Sequence, residues 1–143
     1  MQHHISPNYS IEYSDPLRTK STHLKSGTVI TTDAPTDNHG KGESFSPTDM
    51  LSSSLVSCAM TIMGIAADRG EFEITSMKAD VAKLMESSPR RIGKVTAYIN
   101  ITLKGATKED AERLRRVAIS CPVANSLSKE LIQDLHFDFK LEN

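Results

Sequence analysis

Residues 46–58 of this chain read Ser-Pro-Thr-Asp-Met-Leu-Ser-Ser-Ser-Leu-Val-Ser-Cys, and they predict the start of its longest helix. Ser46 suits the N-cap, Pro47 suits the first helical position, and Asp49 stands three residues after the cap. Apolar residues follow at spacings of three and four, and Gly70 ends the helix. A helix of about 23 residues is about 34 Å long, so we expect it to be the central element of the fold. Its predicted buried stripe consists of Leu51, Leu55, Cys58, Ile62 and Ile65.

The residues before this helix predict a meander of antiparallel strands. Three short β-prone segments between residues 11 and 32 are separated by the turn pairs Asp15-Pro16 and Ser26-Gly27. The next segment, 33–42, is dense in turn residues and polar groups. We therefore expect a loop there, long enough to have a function.

The residues after the helix predict a β-hairpin, a second helix and a terminal strand. The hairpin turns at 87–90, and its second strand alternates apolar and polar residues over 95–103. Thr107 is the expected cap of the second helix, which Pro122 ends at the preceding cysteine. A short helical piece and an alternating terminal strand over 135–141 complete the chain. The predicted buried stripe of the second helix consists of Ala111, Leu114, Ala118 and Cys121.

The size of the chain sets the number of domains. With 143 residues and 15.7 kDa, the chain is long enough for one domain and too short for two well-filled cores. We therefore predict an α+β fold in a single domain spanning residues 1–143.

Composition and charge argue against several classes of function. Hydrophobic residues make up 38% of the chain and charged residues 24%, as in soluble globular proteins. Lys and Arg (17) nearly balance Asp and Glu (18), which argues against a nucleic-acid-binding surface. The longest apolar stretch, 55–67, is too short to cross a bilayer, and the first residues do not resemble a secretory signal. We expect a cytoplasmic protein that binds neither nucleic acid nor membrane.

The two cysteines, Cys58 and Cys121, are each predicted to lie on the apolar stripe of a helix. If those helices pack together, the thiols come within reach of a disulfide, for which the Cα atoms are about 5.5 Å apart. Free cysteine is also among the most buried residue types, so both residues can serve simply as small core side chains. In a reducing compartment we expect free or transiently oxidised thiols rather than a permanent bridge. The residues alone leave the redox and core interpretations open.

A redox role for Cys58 requires a nearby cation, because this residue lies too far from the helix start for the helix dipole to activate it. Arg18 is a candidate, since a guanidinium stays charged when buried and binds anions; the alternative is an ordinary arginine on a strand surface. The five histidines and two cysteines contain no pair at the spacing of a zinc site. We therefore expect neither a metal nor another cofactor.

Three stretches of the sequence carry a resemblance to a known family. They are residues 46–58, the stretch Ser120-Cys-Pro-Val-Ala-Asn-Ser-Leu127, and the stretch His23-Leu-Lys-Ser-Gly-Thr-Val-Ile-Thr-Thr-Asp-Ala-Pro35. In this order they resemble the osmotically inducible protein C and organic hydroperoxide resistance (OsmC/Ohr) family over nearly the whole chain. The most specific feature is a proline eleven residues before a mid-helix cysteine, with a Cys-Pro-Val motif 63 residues after that cysteine.

The resemblance implies an OsmC-like fold, an intertwined homodimer with each site near the subunit interface, and a thiol-dependent peroxidase. Cys58 matches the family's peroxidatic cysteine, whose thiolate attacks the peroxide O–O bond, releases an alcohol or water and becomes a sulfenic acid. Cys121 matches the resolving cysteine, which condenses with it to a disulfide. The implied partners are an organic hydroperoxide, in preference to hydrogen peroxide, and a dithiol reductant such as dihydrolipoamide.

Arg18 matches the family's thiolate-stabilising arginine, counted back from Ser26-Gly27. The hydroperoxide-resistance branch orients that arginine with a glutamate directly after the proline, and this chain has Thr48 there, which lacks a carboxylate. Either Glu43 or Asp49 takes the role, the arginine is held differently, or this branch has weaker peroxidase activity or another thiol function. We predict that Glu43→Gln lowers peroxide turnover.

A redox sensor and an apolar-ligand-binding protein are the alternative functions. In both, the fold is kept while Thr48 weakens the peroxidase chemistry. Fast reaction of Cys58 with an electrophile at pH 7 would contradict an inert, ligand-binding site. Stoichiometric disulfide formation with slow turnover would favour the sensor.

Overall fold

The structure is a computed structural model that describes residues 6–143. Its internal contacts divide the chain into two units, residues 1–50 and residues 51–143. The predicted single domain over 1–143 stays a prediction. Residues 1–5 lie outside the described residues. They include the start of the segment that we predicted is not a secretory signal.

The first unit contains a three-stranded antiparallel sheet. Strand β1 (Tyr9–Ser14) pairs with β2 (Arg18–His23), which pairs with β3 (Val29–Asp33). A 3-10 turn at Thr36–Asn38 lies in the loop that follows. The predicted meander and loop are confirmed, except that Asp33 ends a strand rather than beginning the loop.

Helix α1 spans Pro47–Asp68, close to the predicted bounds. The phase of its predicted buried stripe is wrong by about one residue, because nearly every side chain in this helix is small or apolar and no face stands out in the sequence. Cys58 and Ile62 are only partly buried, and Ile65 is 47% exposed. The buried residues are Ser52, Leu55, Val56, Ala59, Met63 and Ala67.

The second unit contains a three-stranded mixed sheet. Strand β4 (Glu73–Glu86) and strand β5 (Arg91–Lys104) form the predicted hairpin, and β6 (Ile132–Glu142) runs parallel to β5 on its other side. β5 is therefore the central strand. Its predicted inward residues are all buried: Val95, Ala97, Ile99, Ile101 and Leu103.

Helix α2 (Lys108–Ile119) begins at the predicted cap. Thr107 and Asp110 exchange side-chain and backbone hydrogen bonds, which form a capping box. The prediction that this helix ends at Cys121 is wrong, because a proline disfavours helical backbone in the residue before it. Cys121 is instead extended and serves as the N-cap of a short helix, α3 (Pro122–Ser126).

An apolar core lies within residues 51–143. Buried side chains of α1, β5 and α2 belong to one cluster, which partly buried residues of β4 and β6 complete. The helices and β5 each bury one face, which is typical of a two-layer α+β architecture. The largest fully buried apolar side chains are Leu55, Met63, Ile99, Ile101, Leu103 and Leu114.

Helix α1 is long and apolar enough to cross a membrane by composition, with 22 residues and a mean hydropathy of 1.7 over its best window. The predicted apolar stretch, 55–67, was too short, because the uncharged serines before it lengthen the segment that is apolar enough to cross a membrane. Core helices of soluble proteins meet the same criterion, so this is weak evidence for a membrane. The expectation that the chain binds no membrane stays a prediction.

Candidate functional site

In the first unit, Arg18 binds two carboxylates. Arg18 begins β2 and Asp33 ends β3, and the two residues are direct cross-strand partners. The Nε of Arg18 donates to Oδ1 of Asp33 at 2.5 Å, and its Nη2 donates to Oδ2 of Asp33 at 3.2 Å. The same Nη2 donates to Oε2 of Glu43 at 2.8 Å. Register alone therefore brings the guanidinium to one carboxylate, and the loop brings the other.

The two carboxylates differ in burial. The side chain of Asp33 is 2% exposed and that of Glu43 is 61% exposed. Asp33 also accepts the backbone N–H of Glu43 at 3.1 Å, so it ties the end of the loop to the sheet. One carboxylate is thus buried among its partners, and the other reaches Arg18 from solvent.

The charges in this cluster reinforce one another. The hydrogen bonds that Arg18 donates to Asp33 and Glu43 raise the pKa of its guanidinium. The hydrogen bond from Arg18 holds the pKa of Asp33 below its ordinary value, against the opposing effect of burial. Arg18 is therefore charged and Asp33 is ionised at neutral pH.

The start of α1 is held by a second set of hydrogen bonds. The backbone N–H of Ser46 donates to Oδ2 of Asp49 at 2.9 Å, and the N–H of Asp49 donates to Oγ of Ser46 at 3.1 Å. This is the reciprocal pattern of a capping box. Thr48 hydrogen-bonds through its hydroxyl to the Ser46 hydroxyl at 3.1 Å. Of the two carboxylates expected to replace the missing glutamate, Glu43 binds Arg18 and Asp49 caps the helix.

In the second unit, the two cysteines are neighbours. Both thiols are free, Cys58 partly buried in α1 and Cys121 1% exposed at the start of α3. The Sγ of Cys121 accepts the backbone N–H of Ala124 at 3.5 Å and lies 4.0 Å from the carbonyl oxygen of Leu55. Burial raises the pKa of the Cys121 thiol, the Ala124 N–H lowers it, and a hydrogen bond with the Cys58 thiol raises it. The fold therefore brings both predicted redox residues together.

Asp33 is the residue of this site that the sequence did not identify. It was assigned to the loop, although the Ser26-Gly27 turn already aligns residue 22 with residue 29 and hence Arg18 with Asp33. Extending that register by four pairs was the available signal. A buried carboxylate opposite the candidate arginine follows from it.

The expectation of no metal stays a prediction. Within residues 6–143, no group of three or more histidine, cysteine, aspartate or glutamate side chains lies close enough to hold a metal ion. His23 hydrogen-bonds through Nδ1 to the hydroxyl of Ser26 in the hairpin turn.

Comparison with known proteins adds family membership to this geometry. The family model described as OsmC-like protein matches residues 40–134. The crystal structure of a protein of Psychrobacter arcticus 273-4, provisionally described as an osmotic stress induced and detoxification response protein, is 38% identical. The match covers 96% of this chain and 99% of that one, with a TM-score of 0.85.

The chain belongs to the OsmC-like family. An OsmC-like protein from Mycoplasma pneumoniae is 16% identical with a TM-score of 0.75, covering 95% of this chain and 99% of that chain. The organic hydroperoxide resistance protein OhrB of Bacillus subtilis is 13% identical with a TM-score of 0.59, covering 93% and 98%. At these identities the two structures show a shared fold. The comparison with curated proteins gives no match.

Proposed function

We propose that this OsmC-like chain reduces organic hydroperoxides, with Cys58 as the attacking thiol and Cys121 as the resolving thiol. The observation that carries the proposal is the pair of free, neighbouring thiols in residues 51–143, one partly accessible and one buried. Solved structures of the same fold that are described as organic hydroperoxide resistance proteins support this chemistry.

The first step oxidises Cys58. Its thiolate attacks the outer oxygen of the hydroperoxide, a S–O bond forms and the O–O bond breaks. The sulfur becomes a sulfenic acid, and the alkoxide takes a proton from solvent and leaves as an alcohol. Cys58 packs against the apolar core, an environment that favours the alkyl group of an organic hydroperoxide over hydrogen peroxide.

The second step forms a disulfide. The sulfur of Cys121 attacks the sulfur of Cys58, and the hydroxyl of the sulfenic acid leaves as water with the proton of the Cys121 thiol. A dithiol such as dihydrolipoamide then reduces the disulfide and is itself oxidised. Burial raises the pKa of Cys121, so this thiol stays protonated at neutral pH and does not compete with Cys58 for peroxide.

Arg18 is proposed to stabilise the Cys58 thiolate, as the family resemblance implies. Two carboxylates orient its guanidinium, which supports a fixed role for this residue rather than a solvated surface position. Glu43 then supplies part of the contact that the glutamate missing at Thr48 would make. The expected loss of turnover in Glu43→Gln remains part of this proposal.

A homodimer is part of the proposal. Tyr9, Ile11 and Tyr13 lie on one face of β1 and are each 62% exposed. The outward face of α1, which includes Ser54, Ser57, Thr61 and Ile65, carries no charge until Asp68. The exposed apolar face of β1 is typical of a protein interface. We propose that this face and the uncharged face of α1 bind a second copy of the chain. A reducing cytoplasm is the proposed compartment.

The test is consumption of cumene hydroperoxide by the reduced protein with dihydrolipoamide as the donor. We expect Cys58→Ser to abolish turnover, and Cys121→Ser to release one equivalent of alcohol and then stall as a sulfenic acid. Ser87→Ala, which removes an exposed hydroxyl in the turn between β4 and β5, is the control and should keep full activity. Wild-type protein that forms a Cys58–Cys121 disulfide without turnover would contradict the peroxidase and favour a redox sensor.

A further inference from the structure

Asp33 is a carboxylate in an unusual position. Burying a carboxylate is costly unless it is paired and hydrogen-bonded, and the side chain of Asp33 is only 2% exposed. It accepts hydrogen bonds from two nitrogens of Arg18 and from the backbone of Glu43. Its surroundings therefore hold the carboxylate in one place, and the carboxylate holds Arg18.

Asp33 and Glu43 contribute differently to the position of the guanidinium. Asp33 binds both Nε and Nη2, which fixes the plane and the direction of the group, because paired contacts of this kind restrict geometry. Glu43 contacts Nη2 alone, from a side chain that is mostly in solvent. The loop position of Glu43 depends on Asp33 as well, through its backbone N–H.

The remaining edge of the guanidinium is open. Within residues 6–143, the Nη1 group of Arg18 makes no hydrogen bond, while Nε and Nη2 are both occupied. An arginine bound in this way keeps two donors in a fixed direction for an anion. Loss of the Asp33 contact would leave the Arg18 guanidinium charged, but its donors would no longer point in a fixed direction.

We propose that Asp33 is the positioning residue of the site, and that it supplies the orienting carboxylate that Thr48 cannot. This inference rests on the proposed function, in which Arg18 stabilises the Cys58 thiolate. Asp33 acts through Arg18 and does not touch the substrate. Glu43 is a secondary contact, so its removal costs less than that of Asp33.

The test is a double-mutant cycle on Asp33→Asn and Arg18→Gln in a Cys121→Ser background, where Cys58 is the remaining thiol. The readout is the rate of Cys58 alkylation by iodoacetamide as a function of pH. We expect Asp33→Asn to lower the rate at pH 7 about tenfold and to move the profile to higher pH. The double variant should match Arg18→Gln alone, because Asp33 has no effect without the arginine.

Peroxide turnover in the two-cysteine protein is the second readout. Asp33→Asn should lower it about tenfold and Glu43→Gln about two- to threefold, while Glu12→Gln, an exposed carboxylate on β1, should leave it unchanged. If Asp33→Asn does not fold, Asp33→Glu keeps the charge, displaces it by one methylene and is expected to give the same shift of the alkylation profile.

The outcomes separate the two proposals. An alkylation profile that Asp33→Asn leaves unchanged, while Arg18→Gln shifts it, would overturn the role of Asp33 alone. Additive effects in the cycle would overturn it as well, since they indicate a purely structural residue. An absence of peroxide turnover in the wild type would overturn the proposed peroxidase, and the alkylation cycle would still decide whether Asp33 positions Arg18.

Discussion

The buried residues of 51–143 are mostly apolar side chains of two helices and a sheet, whereas the buried residues of 6–50 are Thr32, Asp33 and Ser46. Residues 51–143 are stabilised by an apolar core. Residues 6–50 are held by backbone pairing, an ion pair and a helix cap, and their large apolar side chains are exposed. A three-stranded sheet without an apolar core is marginally stable by itself.

This contrast teaches that one part of the chain stabilises the fold and another part positions the Arg18 side chain. The core of 51–143 sets the free energy of unfolding and brings the two sulfurs together. The polar contacts of 6–50 set the direction of one guanidinium and leave the apolar side chains of β1 exposed. Four predictions test this separation.

Removal of a core side chain is expected to have the largest effect. Leu114→Ala in α2 should lower the free energy of unfolding by about 2–5 kcal/mol, because a fully buried leucine leaves a cavity. Leu24→Ala, at a residue of 6–50 that is 49% exposed, should change it by less than about 0.5 kcal/mol. Urea unfolding measures both, and equal losses would contradict the contrast.

A charge on the apolar face of β1 is expected to act on assembly rather than on folding. Ile11→Asp should weaken dimerisation about tenfold or more, because a carboxylate cannot be buried there without a partner. Sedimentation equilibrium measures the change. Ile132→Asp, at an exposed isoleucine of β6, is the matched control and should leave the mass unchanged. A wild type that sediments as a monomer would remove the dimer from the proposal.

The helix caps of the two regions give a smaller effect. Thr107→Ala should lower the free energy of unfolding by about 1 kcal/mol, since the first turn of α2 loses one hydrogen bond. Ser46→Ala should cost at least as much, because Ser46 is buried and its partners lose their hydrogen bonds out of reach of water. Thermal unfolding of the two variants compares them directly, and a smaller loss for Ser46→Ala would contradict this ranking.

The smallest effect is confined to acid. Pairing with Arg18 lowers the pKa of Asp33, so the ionised carboxylate contributes stability that is fully present above about pH 4 and is lost as the pH falls through the lowered pKa. As the pH falls below about 4, the wild type should lose stability more steeply than Asp33→Asn. Urea midpoints across this range measure the difference, and parallel curves would show that Asp33 makes no such contribution.

Much of the fold follows from local patterns in the sequence. Alternation over 95–103 predicted the buried face of β5, and Thr107 predicted the start of α2, because both signals depend only on neighbouring residues. The phase of α1 did not follow, since a helix that is apolar or small on every side depends on its neighbours for its buried face. Cys121 was placed one element too early, although Pro122 already argued against helix at the cysteine.

The site was predicted in part. Cys58 and Cys121 carried strong motifs, and the structure brings them together. Asp33 was missed because its position opposite Arg18 depends on the register between β2 and β3. That register was not extended from the turn at Ser26-Gly27 to the far end of the two strands. The parallel pairing of β6 with β5 was not predicted for the same reason.

That pairing sets an order on the contacts that form during synthesis. β5 is the central strand of its sheet, and the strand that covers its second edge, Ile132–Glu142, is translated only after α2 and α3. Until β6 is made, a strand with fully buried side chains has an open edge, which is the kind of segment that aggregates or recruits a chaperone. A chain truncated before Ile132 would contain both cysteines but lack the third strand of the sheet that packs against their helices.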